Sequence, residues 1–189
     1  LVRPGDGREI RRIAWLQCIG SRDLQIGSDF CSSICCMAAV KEAMIAKERA
    51  GDGLDAAVYY MDMRTFAKPF QRYRDRAEAE AGVRFLRGRV HSVSEDERTA
   101  DLVVRSAALD GTCREERFDL VVLSVGQRPS RGMERLALAT AIELNPHGFV
   151  QTDSLSPART SREGVFAGGS FPGMRDIGES VIQASAAAA

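Results

Sequence analysis

Apolar and polar positions along this chain fall into blocks that switch between strand and helix periodicity. Residues 13–19 (Ile-Ala-Trp-Leu-Gln-Cys-Ile) are a short apolar run stopped by Gly20, as expected of a buried parallel strand. From Ser32 to about Arg49, the apolar residues Ile34, Met37, Ala38, Val40, Met44 and Ile45 recur at helical spacing, and Gly51 marks the stop. Residues 56–63 read as a second strand, 70–81 as a polar, arginine-rich helix closed by Gly82, and 83–90 as a third strand. Strand, helix, strand, helix, strand is the order of a doubly wound α/β sheet.

The pattern then changes. Residues 90–94, 100–106 and 113–118 predict an antiparallel ribbon, with Asp110-Gly111 as its turn signal. Residues 119–126 return as a buried strand ending at a glycine, 164–169 as another, and 177–189 as a helix. The seam falls between about 126 and 150, giving a first lobe over 1–126 and a returning lobe over 127–189.

Composition narrows the function classes. The chain has 189 residues, suited to one large domain or one and a half nucleotide-binding lobes, and is 44% hydrophobic, enough for a sizeable core. Its 26 basic residues balance 26 acidic ones, so there is no electrostatic footprint for nucleic acid or membrane, and no apolar run approaches bilayer length. The chain opens without Met and ends in a run of alanines inside a predicted helix, which reads as a fragment of something longer. Five unevenly spread cysteines argue against a secreted disulfide framework and for a reducing cytoplasm.

Four of those cysteines form the most specific pattern, Cys18-x12-Cys31-x3-Cys35-Cys36, at the first strand-to-helix turn. A nucleotide-binding unit carries its glycine-rich phosphate loop there; Cys-Ile-Gly-Ser-Arg-Asp stands in its place and argues against NAD(P)H binding in this lobe. If the helix begins near Cys31, then Cys31 and Cys35 share a face, with Asp29 and Ser32 as cap residues. Four thiolates there suit a [4Fe–4S] cluster or a structural zinc. A low-pKa redox thiol at Cys31 or Cys35 and a set of small buried hydrophobes are the other readings. Cys113 stands apart in the ribbon. Met37, Met44, Met61, Met63 and Trp15 read as core, His91 and His147 as isolated, and Arg72, Arg74 and Arg76 as a solvated helix face.

Two later segments add to this. A hydrophobic strand leads into Gly126-Gln127-Arg128-Pro129, and Gly164-Val-Phe-Ala-Gly168-Gly169-Ser170 leads to a helix starting near Asp176. Together they resemble the closing half of thioredoxin-reductase-like flavoproteins, although Ser170 stands where the usual pattern has an aspartate. With the cysteine run and the tail Arg175-Asp-Ile-Gly-Glu-Ser-Val-Ile-Gln-Ala-Ser, the chain resembles the A-type subunits of the heterodisulfide reductase family, iron–sulfur flavoproteins, over about residues 13–189.

That resemblance implies a Rossmann-like, thioredoxin-reductase-type FAD/NAD(P)-binding fold with a parallel sheet and an antiparallel ribbon insertion. It implies a [4Fe–4S] cluster on Cys18, Cys31, Cys35 and Cys36, and FAD bordered by Gly126, Gln127, Arg128, Pro129, Gly168, Gly169, Ser170, Asp176, Ile177 and Ser180. It implies an oxidoreductase passing electrons between the two, with flavin-based bifurcation attributed to some family members. The implied partners are other subunits of such a complex and a donor such as a hydrogenase or ferredoxin. A thiol–disulfide flavoprotein and a zinc-stabilised interaction module remain as alternatives.

Overall fold

The computed structural model describes residues 1–51, 53–66 and 68–188. The predicted last residue of the C-terminal helix, Ala189, lies outside the described residues. The chain divides into two compact units: Leu1–Ile19 with Cys35–Val125, and Gly20–Ile34 with Gly126–Ala189.

The first unit is built on a six-stranded sheet, β1 (Arg12–Leu16), β2 (Asp55–Tyr60), β3 (Arg84–Glu95), β4 (Leu102–Ala108), β5 (Cys113–Phe118) and β6 (Leu120–Leu123), in the order β5-β4-β3-β2-β1-β6. β6, β1, β2 and β3 run parallel, and β3, β4 and β5 are antiparallel. This is the expected α/β fold, a largely parallel sheet with a ribbon insertion, but it is not doubly wound: the crossover helices pack on one face and ribbon residues cover the other. The crossovers are α1 (Cys35–Ala50) and α2 (Lys68–Ala79).

Alternation along β1 sets the two faces. Ile13 and Trp15 pack with Val40, Ala43 and Val58 on the helix side, and the buried Trp15 Nε1 donates to Glu42 Oε2 of α1 at 2.9 Å. Ala14 and Leu16 pack with Ala57, Tyr59, Val104 and Phe118 on the other side, where the ribbon bends back as cover. Trp15 is core, as its sequence context predicts, and Met44 and Met63 pack against the same cluster.

The predicted strands 83–90 and 90–94 are one strand. β3 pairs with β2 through Arg84–Arg87 and with β4 from Gly88 onward, with a bulge between Val90 and Ser92. A bulge adds twist without ending a strand, so the polar break in the pattern turns the ribbon instead of interrupting it. Gly88 marks the handover: a Cβ there would lie 2.5 Å from the Ala107 carbonyl oxygen.

At the edge of the ribbon-covered face, Arg84 donates to Asp55 (2.8 Å) and Glu116 (2.9 Å), and Arg12 to the same two carboxylates (3.0 and 3.2 Å). The Tyr59 hydroxyl reaches Glu116 at 3.1 Å, and Arg12 lies over the Phe118 ring at 5.0 Å. Burial pushes both carboxylates up, but the hydrogen bonds and charge of Arg84 and Arg12 outweigh it and hold them below their ordinary values. The α2 arginines are more than a solvated face, since Arg74 lies over Phe85 at 4.3 Å and bonds Glu78 at 2.6 Å.

The second unit holds α3 (Met133–Thr140) and α4 (Ile177–Ala188), with a small core of Met133, Val150 and Ala167. The predicted strand over 164–169 is absent among the described residues. Gly164 and Gly169 turn the chain with φ of 75° and 65°, leaving a single bridge between Arg159 and Phe166. α3 was not expected, although Met133, Leu136, Ala137 and Thr140 are spaced for one apolar face.

Two outcomes follow from the sheet. Gly88→Ala should destabilise the first unit by about 1–3 kcal/mol in urea denaturation, because the added methyl meets backbone. The depressed carboxylates stabilise the fold fully above their ordinary values of 4.5 for Glu116 and 3.8 for Asp55. That contribution is lost as pH falls through their lower folded values, so a thermal melting series below about pH 4.5 should fall less steeply in Glu116→Gln than in the native chain.

Candidate functional site

The chain between β1 and α1 starts and ends in the first unit. Ladder pairing runs one residue past β1, with the Gln17 amide donating to the Tyr59 carbonyl at 3.0 Å. Cys18 then turns the backbone with φ of 62° and is half-buried. The end is pinned to β6, with the Ile19 amide on the Ser124 carbonyl (3.2 Å) and the Ser124 amide on the Leu16 carbonyl (2.9 Å). Cys35 and Cys36 open α1; Cys36 is buried, with its Sγ 3.9 Å from the carbonyl of Asp62, just past β2. Three of the four cysteines therefore lie at the carboxyl edge of the parallel strands, where open α/β sheets bind their ligands. Gln17 is also there, only 7% exposed, and neither side-chain amide atom has a partner among the described residues.

The fourth, Cys31, lies in the second unit, in the loop Gly20–Ile34. The expectation that Cys31 and Cys35 share a helix face is not met, because α1 begins only at Cys35. Ser33 adopts φ of 60°, and its amide points at Cys31 Sγ (3.4 Å), so this stretch turns around the thiol instead of continuing the helix. Of five non-glycine residues with positive φ among the described residues, three (Cys18, Arg22 and Ser33) fall in this one segment. Such conformations persist only where the surroundings enforce them, and they collect at functional sites.

Ser32 shows what does the enforcing. It is 1% exposed, and its Oγ accepts the Gln127 amide proton at 2.9 Å. A Cβ on Gly126, where φ is 80°, would overlap that oxygen. The space beside Gly126 is thus filled by the cysteine loop's own serine. Asp29 and Ser32 do not cap α1. Asp29 faces His147 Nδ1 at 3.4 Å, and Phe30 stacks edge-on against His147 and Phe149 at 5.1 and 5.6 Å. His147, isolated in the sequence, is part of this anchor.

The remaining predicted residues spread over the second unit. Arg128 and Ser170 are exposed, and Pro129 lies beside Gly148. Gly168 lies against Gln183 and Ala184 of α4, and Gly169 beside Ser180. Asp176 caps α4: its Oδ1 accepts the Glu179 amide (2.7 Å) while Glu179 Oε2 accepts the Asp176 amide (2.9 Å), a reciprocal capping box. Ser180 Oγ donates to the Asp176 carbonyl at 2.7 Å, and Ile177 is 85% exposed. Buried Oε1 atoms of Gln127 and Gln183 have no partner among the described residues. Sequence reading gave Ser32 a capping role in place of its bond to Gln127, and missed Gln17 and the Asp176 cap; only that cap carries a local signal, Asp176-x-x-Glu179.

Among the described residues, no three His, Cys, Asp or Glu side chains are grouped to hold a metal ion. Within the first unit the donor chemistry nevertheless fits a thiolate-bound group: two cysteines in the first turn of a helix, and a buried donor next to Cys18.

The fold and this edge are those of the dinucleotide-binding α/β class. Residues 38–188 match the pyridine nucleotide-disulphide oxidoreductase family, and the chain belongs to it. The matched span begins just after Cys36. Over its whole length the chain is similar to the A-type iron–sulfur subunits of heterodisulfide reductases. It is 40% identical to the second A-type iron–sulfur subunit of CoB–CoM heterodisulfide reductase from Methanopyrus kandleri, with 100% of this chain and 29% of that one aligned. It is 39% identical to the A-type iron–sulfur subunit of the same enzyme from Methanocaldococcus jannaschii, over 99% of this chain and 29% of that one. The chain thus spans 29% of the length of these curated relatives. The crystal structure of LpdA from Mycobacterium tuberculosis shares the fold, with a TM-score of 0.55 and 19% identity, over 96% of this chain and 34% of that one.

Gly126→Ala should cost about 2 kcal/mol or more, from backbone strain and overlap with Ser32, and Ser32→Ala about 1 kcal/mol. Their sum should exceed the cost of the double variant, because removing Oγ relieves the overlap. Urea denaturation, with hydrogen exchange at the Gln127 amide, reads all three. Asp176→Ala should remove about 1 kcal/mol through loss of the cap.

Proposed function

We propose that this chain is the flavin-adjacent iron–sulfur portion of a heterodisulfide-reductase-like A-type subunit, and that its task is to pass electrons between FAD and a [4Fe–4S] cluster. The observation that carries this reading is the set Cys18, Cys31, Cys35 and Cys36. It replaces the phosphate loop of a dinucleotide-binding fold in a segment whose backbone is held in left-handed turns at Cys18, Arg22 and Ser33. Similarity to relatives named iron–sulfur subunits supports it.

The four cysteines would hold the cluster, which supplies one-electron transfer when bound. Gly126, Gln127, Arg128 and Pro129 on one strand end, and Gly168, Gly169, Ser170, Asp176, Ile177 and Ser180 on the other side, would border FAD. The buried, unpartnered Oε1 of Gln127 is an acceptor available to a flavin. Asp176 would contribute through its position at the start of α4, since its carboxylate already caps that helix. The protein's part is positioning and tuning, with no side chain needed for acid–base chemistry. Other subunits of the complex and a donor such as a hydrogenase or ferredoxin complete the path, in the cytoplasm. Bifurcation at the flavin is the fullest form of this reading.

Anaerobic purification with iron, sulfide and zinc analysis tests it. About four iron and four sulfide per chain are expected, with visible absorption that bleaches on reduction and is lost in Cys35→Ser. Zinc without iron would replace the reading with a structural metal module. Metal-free protein with one unusually acidic thiol in titration would replace it with a thiol–disulfide enzyme.

A further inference from the structure

Gln17 is a buried polar side chain with no account in the fold. It is 7% exposed, and both its Nε2 and its Oε1 lack partners among the described residues. Leaving a buried amide unsatisfied is costly, so a residue placed this way calls for a partner that arrives from outside the polypeptide. A hydrophobic residue would pack the same place at no such cost.

Its position limits what that partner can be. The ladder continues through the Gln17 amide, so strand alternation puts its side chain on the face of Ile13 and Trp15, which α1 covers. Trp15 is tied to Glu42 of α1. Two strand residues advance about 6.6 Å and a helix rises about 1.5 Å per residue, and a crossover helix runs back against its strands. The step from Trp15 to Gln17 therefore leads from Glu42 back to the first turn of α1, where Cys35 and Cys36 stand. Cys18 is the next residue along the chain.

We infer that Gln17 is a positioning residue for the iron–sulfur group, its Nε2 donating a hydrogen bond to a thiolate or sulfide sulfur of the cluster held by the neighbouring cysteines. This rests on the proposed cluster. Hydrogen bonds to sulfur stabilise the more negative, reduced state and raise the reduction potential. A carbonyl oxygen aimed at the same sulfur would be repelled, which fixes the amide's orientation with Nε2 toward the cluster.

The test is an EPR-monitored redox titration of the anaerobically loaded chain, comparing native protein with Gln17→Met, which keeps the length and removes the donor. With four iron retained, Gln17→Met should show about a tenfold lower reduced-to-oxidised ratio at the native midpoint, a shift of about 59 mV to more negative potential. An unchanged midpoint in a fully loaded variant overturns the inference and leaves the cluster reading standing. Native protein that takes up no iron overturns both. Should Gln17→Met fail to load, native protein labelled with 15N at glutamine side-chain amides decides by pulsed EPR of the reduced cluster. A 15N coupling that persists in Gln127→Met and Gln183→Met supports the inference, and no such coupling overturns it.

Discussion

The hydroxyl of Ser32 lies against the Gln127 amide in the space left by the missing side chain of Gly126, and the arrangement of the second unit depends on that fit. A loop of fifteen residues, Gly20–Ile34, has little regular structure to hold it. Its own cross-links are short ones, such as the paired bonds between Asp23 and Ser28 at 2.8 and 3.0 Å. The buried serine fixes its far end to the turn that follows β6, and the Phe30 stack on His147 and Phe149 fixes the stretch just before it. Between these anchors Cys31 has no freedom to join a helix. Its placement follows from what Ser32 and Phe30 bind, together with the Ser33 amide that points at its own sulfur.

This explains why the segment carries so much backbone strain. Left-handed conformations at Cys18, Arg22 and Ser33 each cost of order 1–3 kcal/mol and need surrounding contacts to hold them. A helix running from Cys31 would relieve Ser33 but would carry Ser32 away from Gln127. The strained turn is retained because a buried hydroxyl–amide bond and two aromatic edges outweigh it.

The sheet was legible in the sequence because its signals are local and periodic. The β1 run, the α1 spacing and the glycine stops each report on their own element, and Trp15 declared itself as core. What was not legible depends on contacts far apart in sequence. Ser32 meets Gln127 across 95 residues, and His147 meets Asp29 and Phe30 across a still longer gap. Gly126 looked like a glycine kept small for a ligand, and only the fold shows a serine filling its space. The strand expected over 164–169 failed for a related reason: its apolar run is real, but glycines at both ends turn the chain before a ladder can form. At the candidate site, the cysteine positions were plain and the helix start was not. Cys31 and Cys35 are spaced for one helical turn whether or not a helix joins them.

The exchange of a phosphate loop for a cysteine loop keeps one electrostatic constant. α1 has no acidic residue in its first turn, and Lys47 and Arg49 stand in its last, so its charged side chains at the far end agree with the helix dipole while the amide end is left for an anion. In a dinucleotide-binding unit that anion is a pyrophosphate. Here the residues at that end are Cys35 and Cys36, and in the proposed cluster their thiolates would carry the same sign of charge and gain from the same amides. A glycine-rich loop must bring bare backbone close to phosphate oxygens. A thiolate set must instead bring side chains of defined reach to one place, which a loop of glycines could not do. On the proposed reading the sheet edge and the helix dipole are shared by both solutions, and the cysteine segment would change what they receive.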